Sequence, residues 1–223
     1  MKGKWIVGLV SLVALTLLAC GGTGEGDSTY RYQLTNVSRV ASIDFNFNDT
    51  PVAINLGVPG SQERTVQADP VEVDVFDSFS GVNLFRNTFS GNLRNELIGI
   101  GTGSQFRVAG FAFNRDSTGA QLHVAWSGSE SGAASVYWGP ASGDVSTATL
   151  IGTVAYNGSS PAQRTAFVST SFPIRVYFCQ PGTRTIIRDF VRSDTFIPNG
   201  HYIVVPYTTA GGSNELYARQ FAL

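Results

Sequence analysis

Few of the residues that could do chemistry stand in the patterns that chemistry needs. Asp44-Phe45-Asn46-Phe47-Asn48 has the alternating acid and amide opening of a calcium loop. Such a loop also needs glycine at its sixth position and a bidentate glutamate at its twelfth, where this chain has Asp49 and Asn55. A strand's wet face running into an Asn-Asp turn is the simpler reading. His123 and His201 are far apart in the chain, each within an alternating segment, and read as strand surface rather than as ligands. With Cys179 they do not make up a metal set of three or four ligands, so no metal is expected. Gly128-Ser129-Glu130-Ser131-Gly132 has glutamate where a nucleophile elbow needs serine. Two carboxylates could meet for glycoside hydrolysis, but spacing singles out no pair, although Glu130 and Asp144 are the acids to watch. Cys179 closes the segment PIRVYF and reads as a small apolar strand-end residue, with an intermolecular disulfide as the alternative. The aromatic residues Trp126, Tyr137 and Trp138 are the candidate binding residues, with Trp138-Gly139-Pro140 the first place to look for a surface that stacks on sugar or protein. Core packing is their alternative role. No catalytic residue and no cofactor is expected.

Charge narrows the partners. Both lysines, Lys2 and Lys4, lie at the extreme N-terminus, and the rest of the chain carries 13 arginines against 16 acids. A net charge near −3 beyond the leader gives no basic face for nucleic acid. Hydrophobic residues make up 43% and charged residues 14%, which is too apolar for disorder.

The N-terminus has its own chemistry. Lys2 and Lys4 precede an apolar run over residues 5–18, shorter than a membrane span, which reads as an export signal helix over residues 1–19. It closes on Leu17-Leu18-Ala19-Cys20, which resembles the lipobox of bacterial prolipoproteins. That resemblance implies cleavage between Ala19 and Cys20, with diacylglyceryl on the Cys20 thiol. The lipid would make the membrane a partner through Cys20, and several acyl chains would hold it firmly. Gly21 rather than aspartate follows the cysteine, which is similar to lipoproteins passed to the outer membrane where a host has two. Residues 20–29 are Gly-rich and polar, a tether that lifts the folded part off the bilayer.

Beyond the tether the sequence echoes itself. Gln62-Glu63-Arg64-Thr65 recurs as Ala162-Gln163-Arg164-Thr165, and PVEVDVF (70–76) as PIRVYF (173–178). Gly81 with Leu84-Phe85-Arg86 recurs as Gly182 with Ile186-Ile187-Arg188, and GSQFRVAGFAF (103–113) matches GSNELYARQFAL (212–223). The order implies two related units, 30–113 and 120–223, joined by residues 114–119, with an insertion in the second at 139–153. Within each the apolar period is two. Ile43, Phe45 and Phe47 oppose Asp44, Asn46 and Asn48, while Val71, Val73 and Val75 oppose Glu72, Asp74 and Phe76. Asn48-Asp49, Asn199-Gly200 and Gly211-Gly212 mark turns. The fold expected is all-β: two tandem antiparallel β-sandwiches, immunoglobulin-like or transthyretin-like, of about seven strands each, after the signal helix.

This order of segments resembles tandem copies of the domain of unknown function 4397, found in exported bacterial proteins. The residues that carry it are LTNVS (34–38) with HVAWSGS (123–129), and SIDFNFND (42–49) with ASVYWGP (134–140). The two PV/PI strands and NGHYIVVPYTTAGG (199–212) complete it. The first copy departs at NELIGIGTG (95–103), which lacks the aromatic and β-branched run. The resemblance implies a β-sandwich and export, and no reaction. The expected role is an envelope lipoprotein that binds, adheres or supports, with a protein or glycan partner. A glycan-active envelope enzyme or its accessory module is one rival, and a subunit of an envelope assembly pairing through strand edges is another.

Overall fold

A computed structural model describes residues 29–101, 105–113, 120–126, 132–155, 163–167, 173–193, 200–209 and 211–222. The expected signal, Ala19, Cys20, nearly all of the tether, the 114–119 joint and Glu130 lie outside them.

Period-two sequences make strands, and each strand must bury its apolar face. In the first half, β1 (Tyr30–Asn36), β4 (Gly60–Val66), β7 (Arg94–Ile100) and β8 (Arg107–Phe113) form sheet A in the order β4-β1-β7-β8. The strands β2 (Ser42–Phe47), β3 (Thr50–Gly57), β5 (Val71–Asp77) and β6 (Asn83–Phe89) form sheet B in the order β3-β2-β5-β6. The second half repeats this strand for strand. Its sheet C contains β9 (Ala120–Val124), β12 (Gln163–Phe167), β15 (Gly200–Thr208) and β16 (Asn214–Ala222), ordered β12-β9-β15-β16. Sheet D contains β10 (Ala133–Pro140), β11 (Thr149–Ala155), β13 (Ile174–Cys179) and β14 (Ile186–Arg192), ordered β11-β10-β13-β14. Gln62–Thr65 lies on β4 and Gln163–Thr165 on β12, at equivalent places in the two orders.

Two features differ from expectation. Among the described residues each half has eight strands in two sheets of four, one more than the count of about seven expected. The strands are also not all antiparallel, since β1 runs parallel to β7 and β9 parallel to β15.

Three cores hold the layers in the order B, A, C, D. Tyr32, Leu34 and Leu97 of sheet A meet Phe45, Val73 and Val75 of sheet B. Leu122, Val124 and Tyr202 of sheet C meet Val136, Val176 and Phe178 of sheet D, and Trp126 stacks on Phe178 with ring centroids 5.3 Å apart. Between the two sandwiches, Ile98, Ile100, Ala109, Phe111 and Phe113 of sheet A pack on Ile203, Val205 and Tyr207 of sheet C. Sheets A and C are therefore covered on both faces. That is why β15 is buried along its whole length and β7 after its first residue, with continuous rather than alternating burial.

Polar groups are sealed in this middle layer. His123 and His201 lie buried with Nε2 and Nδ1 3.0 Å apart, against Phe111 and Phe113. They are not strand surface, as the alternation suggested, because the second face of sheet C has a neighbouring sheet. The parallel pairing of β9 with β15 brings together two histidines distant in sequence. Glu96 of β7 accepts hydrogen bonds from Tyr217 Oη (2.5 Å) and Thr35 Oγ1 (3.2 Å), with Arg219 at 3.9 Å. Burial pushes its carboxyl above the ordinary 4.5, outweighing those partners, and burial also pushes Tyr217 up to about 12.

A raised carboxyl pKa means the folded state holds its proton at pH values where the unfolded chain has released it. Stability from this group is full below the unfolded value and is lost as pH rises through the folded one. Urea midpoints measured across that range fall for the native chain, and Glu96→Gln removes the slope. In the core, Trp126→Ala costs about 3–5 kcal/mol, measured by the same denaturation.

Candidate functional site

With A and C occupied on both sides, the broad exposed faces are the outer faces of sheets B and D. They hold equivalent positions with opposite chemistry. Sheet register places Asp44, Asn46, Glu72, Asp74 and Phe76 on the outside of B where D has Ser135, Tyr137, Arg175, Tyr177 and Cys179.

The middle of the outer face of D is covered by a loop. Tyr137, Tyr177 and Cys179 pack under Val145 and Ala148, from the loop between β10 and β11 that the sequence marked as an insertion. The Tyr177 hydroxyl donates to the Gly143 carbonyl (2.8 Å) and that of Tyr137 to the Thr183 carbonyl (3.1 Å). Arg184 lies over the Tyr137 ring at 4.6 Å and donates to the carbonyls of Val145 and Ala148. Cys179 is free and buried, and burial pushes its thiol up, away from the reactive thiolate. Asp144 is exposed and caps a short 3-10 turn, accepting from the Ser146 amide at 2.7 Å. It faces no other acid among the described residues.

The expected binding aromatics therefore do not form a surface. Trp126 is fully buried, Tyr137 lies under the loop, and Trp138 points to the other face of β10, half-buried against the core. Adjacent strand residues alternate between faces, so Tyr137 and Trp138 cannot share one.

The outer face of B is open and carries acids. Arg86 is their internal counter-ion, with Nε 2.5 Å from Asp74 and 3.8 Å from Glu72, and Nη2 3.9 Å from Asp49. Asp74 is 1% exposed and also accepts from Asn83 Nδ2 at 2.7 Å. The ligand atoms of Asp49, Glu72 and Asp74 lie within 4.8 Å of one another, but the guanidinium is already among them. The calcium-like stretch is divided between roles. Asp44 and Asn46 line the face, while Asn48 and Asp49 (φ 47° and 62°) form the hairpin turn.

At one end of this face lies a hollow of about 260 Å³ lined by Asp44, Asn46, Pro51, Ile54, Phe76 and Gly81. A bulge in β3 creates it. Asn55 takes φ 55°, its amide donates to Asp44 Oδ1 at 2.7 Å, and Ile54 turns outward. Ser78 donates to the same oxygen at 2.6 Å, fixing the turn after β5. Asp77 caps that turn by accepting from the Phe79 and Ser80 amides, and these bonds hold its carboxyl below the ordinary range. The turn presents Phe79 at 82% exposure and is followed by Val82 at 56%, while Ile54 on the wall of the hollow is 63% exposed. Sequence reasoning passed over these residues. The available signal was an aromatic inside the turn Ser78-Phe79-Ser80-Gly81, where no core position exists to hold it.

No family model matches the chain, and no curated protein does. Among solved structures, a "putative cell adhesion protein" from Bacteroides uniformis aligns at TM-score 0.29 and 10% identity, over 87% of this chain and 99% of that one. A carbohydrate-binding module of family CBM26 from Eubacterium rectale, in complex with maltoheptaose, aligns at 0.27 and 11%, over 84% and 96%. Scores this low carry no functional argument.

The Arg86 contacts give a stability test. Arg86→Ala leaves the Asp74 charge buried beside Asn83 alone and lowers the urea midpoint. Adding Asp74→Asn restores part of the loss, as a double-mutant cycle measures.

Proposed function

We propose that this chain is an exported, lipid-anchored binding protein of the bacterial envelope, without catalytic activity, that engages its partner through the outer face of sheet B. The observation that carries this reading is the hollow on the outer face of sheet B, with Ile54 exposed on its wall and Phe79 and Val82 exposed on the turn that contributes Gly81 to it, a face that no other sheet covers among the described residues. Apolar groups left in water at one place, rimmed by polar ones, mark an interaction surface. At the opposite end of the stack Tyr137 and Tyr177 are spent on packing, and the large apolar residues exposed on sheet D among the described residues are Leu150, Ile186 and Val191.

The anchoring half of the reading rests on Leu17-Leu18-Ala19-Cys20 and the apolar run before it. Acyl chains on Cys20 tie the folded part to the membrane, and the resemblance to the domain of unknown function 4397 supports the same exported setting. The absence of turnover is the reading's own expectation. The acids of sheet B are engaged by Arg86, by Asn83 or by backbone amides, an arrangement that holds structure rather than moving protons.

Two measurements test it. Mass spectrometry of the mature protein finds a diacylated or triacylated N-terminus at Cys20, and Cys20→Ser releases the protein from membranes. A mature start elsewhere removes the anchor. The full-length protein is retained on isolated envelope fractions, and Phe79→Ala with Ile54→Asp reduces retention several-fold without generating or abolishing reducing ends. Equal retention of the variant, or release of reducing ends by the native chain, overturns the reading.

A further inference from the structure

The geometry points to a lysine side chain of a partner polypeptide as what the hollow of sheet B receives. The inference rests on the binding role proposed for that face and names the chemistry of its ligand.

Two acceptors in the hollow are unspent. Asp44 uses Oδ1 for both of its hydrogen bonds, to the Asn55 amide and the Ser78 hydroxyl, and Oδ2 takes none among the described residues. The Asn46 carboxamide makes no hydrogen bond there either. Both side chains are half-buried, so each gives up part of its hydration without a protein partner in return. Around them, Pro51, Ile54 and Phe76 supply apolar walls. An anion acceptor beside an amide carbonyl, reached along an apolar wall, suits an ammonium on a methylene stem. The Phe76 ring adds an attraction for a cation that an aliphatic wall lacks.

The charge around the hollow has the matching sign. Asp44, Asp49, Glu72 and Asp74 lie on this face and Asp77 at its rim, while the cation in contact with these acids is Arg86. Five carboxylates against one guanidinium leave a negative field that draws cations to the surface.

Lysine fits better than arginine. A guanidinium binds best when both oxygens of one carboxylate are available to its planar fork, and Asp44 Oδ1 is already committed. An ammonium needs only single acceptors, and Asp44 and Asn46, which both line the hollow, each have one to offer. Outside the expected signal, where Lys2 and Lys4 lie, the chain has no lysine, so for the cleaved chain the ammonium comes from another molecule. The exposed Phe79 and Val82 beside the hollow ask for apolar contact next to that ammonium. A polypeptide supplies such contact, and a bare polyamine does not.

The test uses the full-length protein with fluorescent hexalysine and hexaarginine, unlabelled spermidine and a neutral oligosaccharide. Hexalysine is expected to bind more tightly than hexaarginine, and more weakly as salt rises. Asp44→Asn keeps a carbonyl for the bulge but removes the charge, and weakens hexalysine by about ten-fold or more. Asn46→Ala disturbs no side-chain hydrogen bond among the described residues and weakens it several-fold, which keeps the test decisive if Asp44→Asn lowers the urea midpoint. Equal affinity for the two peptides, or no effect of either variant, overturns the inference. Spermidine binding as tightly as hexalysine overturns the polypeptide as occupant, and oligosaccharide binding that Asp44→Asn abolishes overturns the ammonium. If the peptides fail while envelope retention still depends on Phe79, the lysine assignment falls alone and the binding role stands.

Discussion

Sheet A pressed on sheet C is the constraint from which the rest of the molecule follows. A single sandwich has two outer faces to keep in water. Here each half gives one of them up, burying Ile98, Ile100, Phe111 and Phe113 against Ile203, Val205 and Tyr207. Burial of that kind is favourable in proportion to the apolar area removed from water. It also forces polar groups inside, and those are paired: His123 with His201, Glu96 with Tyr217 and Thr35. Burial holds the Glu96 carboxyl above its ordinary pKa in this contact. What remains for recognition is the outside of B, the outside of D, and the strand edges.

Those two outer faces carry different chemistry on strands that hold equivalent places in the two halves. The pair Glu72 and Arg86 on sheet B corresponds to Arg175 and Asp189 on sheet D, where the same ion pair recurs at 3.4 Å with its charges exchanged. Asp74 corresponds to Tyr177, and Asn46 to Tyr137. Acids need water or a counter-ion, so the B face stays open with Arg86 among its carboxylates. Tyrosines need apolar cover and a hydroxyl partner, so the D face takes on the loop carrying Val145 and Ala148 and donates to Gly143 and Thr183.

Strands with one wet face were legible in the sequence because alternation reports burial on one side only. That covers β2, β5 and β13. It fails at both extremes. The edge strand β4 alternates half-buried with exposed residues and has no apolar stripe, so the eight-strand count was not visible. The strands β7 and β15 are buried on both faces, so their meaning depends on a neighbouring sheet that local pattern does not encode. The same blindness placed His123 and His201 at the surface, whereas Trp126 lies in the ordinary sandwich core against Phe178. Aromatic content pointed to the second half because tyrosine and tryptophan are conspicuous, but number says nothing about which face is covered. Phe79 was the informative aromatic, since a turn held by Asp77 has no interior to receive it.

The hollow on sheet B traces to one further position, Asp44 where sheet D has Ser135. In sheet D, Ser135 accepts from the Gly182 amide at 2.9 Å, drawing the turn between β13 and β14 down over the strand. In sheet B the equivalent turn holds to Asp44 through Ser78, and Asp44 also holds the bulge at Asn55. A carboxylate has more acceptor capacity than a hydroxyl, so one oxygen serves both anchors and the other stays unspent. The bulge then turns Ile54 outward and opens space beside that oxygen. The same side chain thus fixes the walls of the hollow and supplies its charge, which couples the shape of the site to its chemistry.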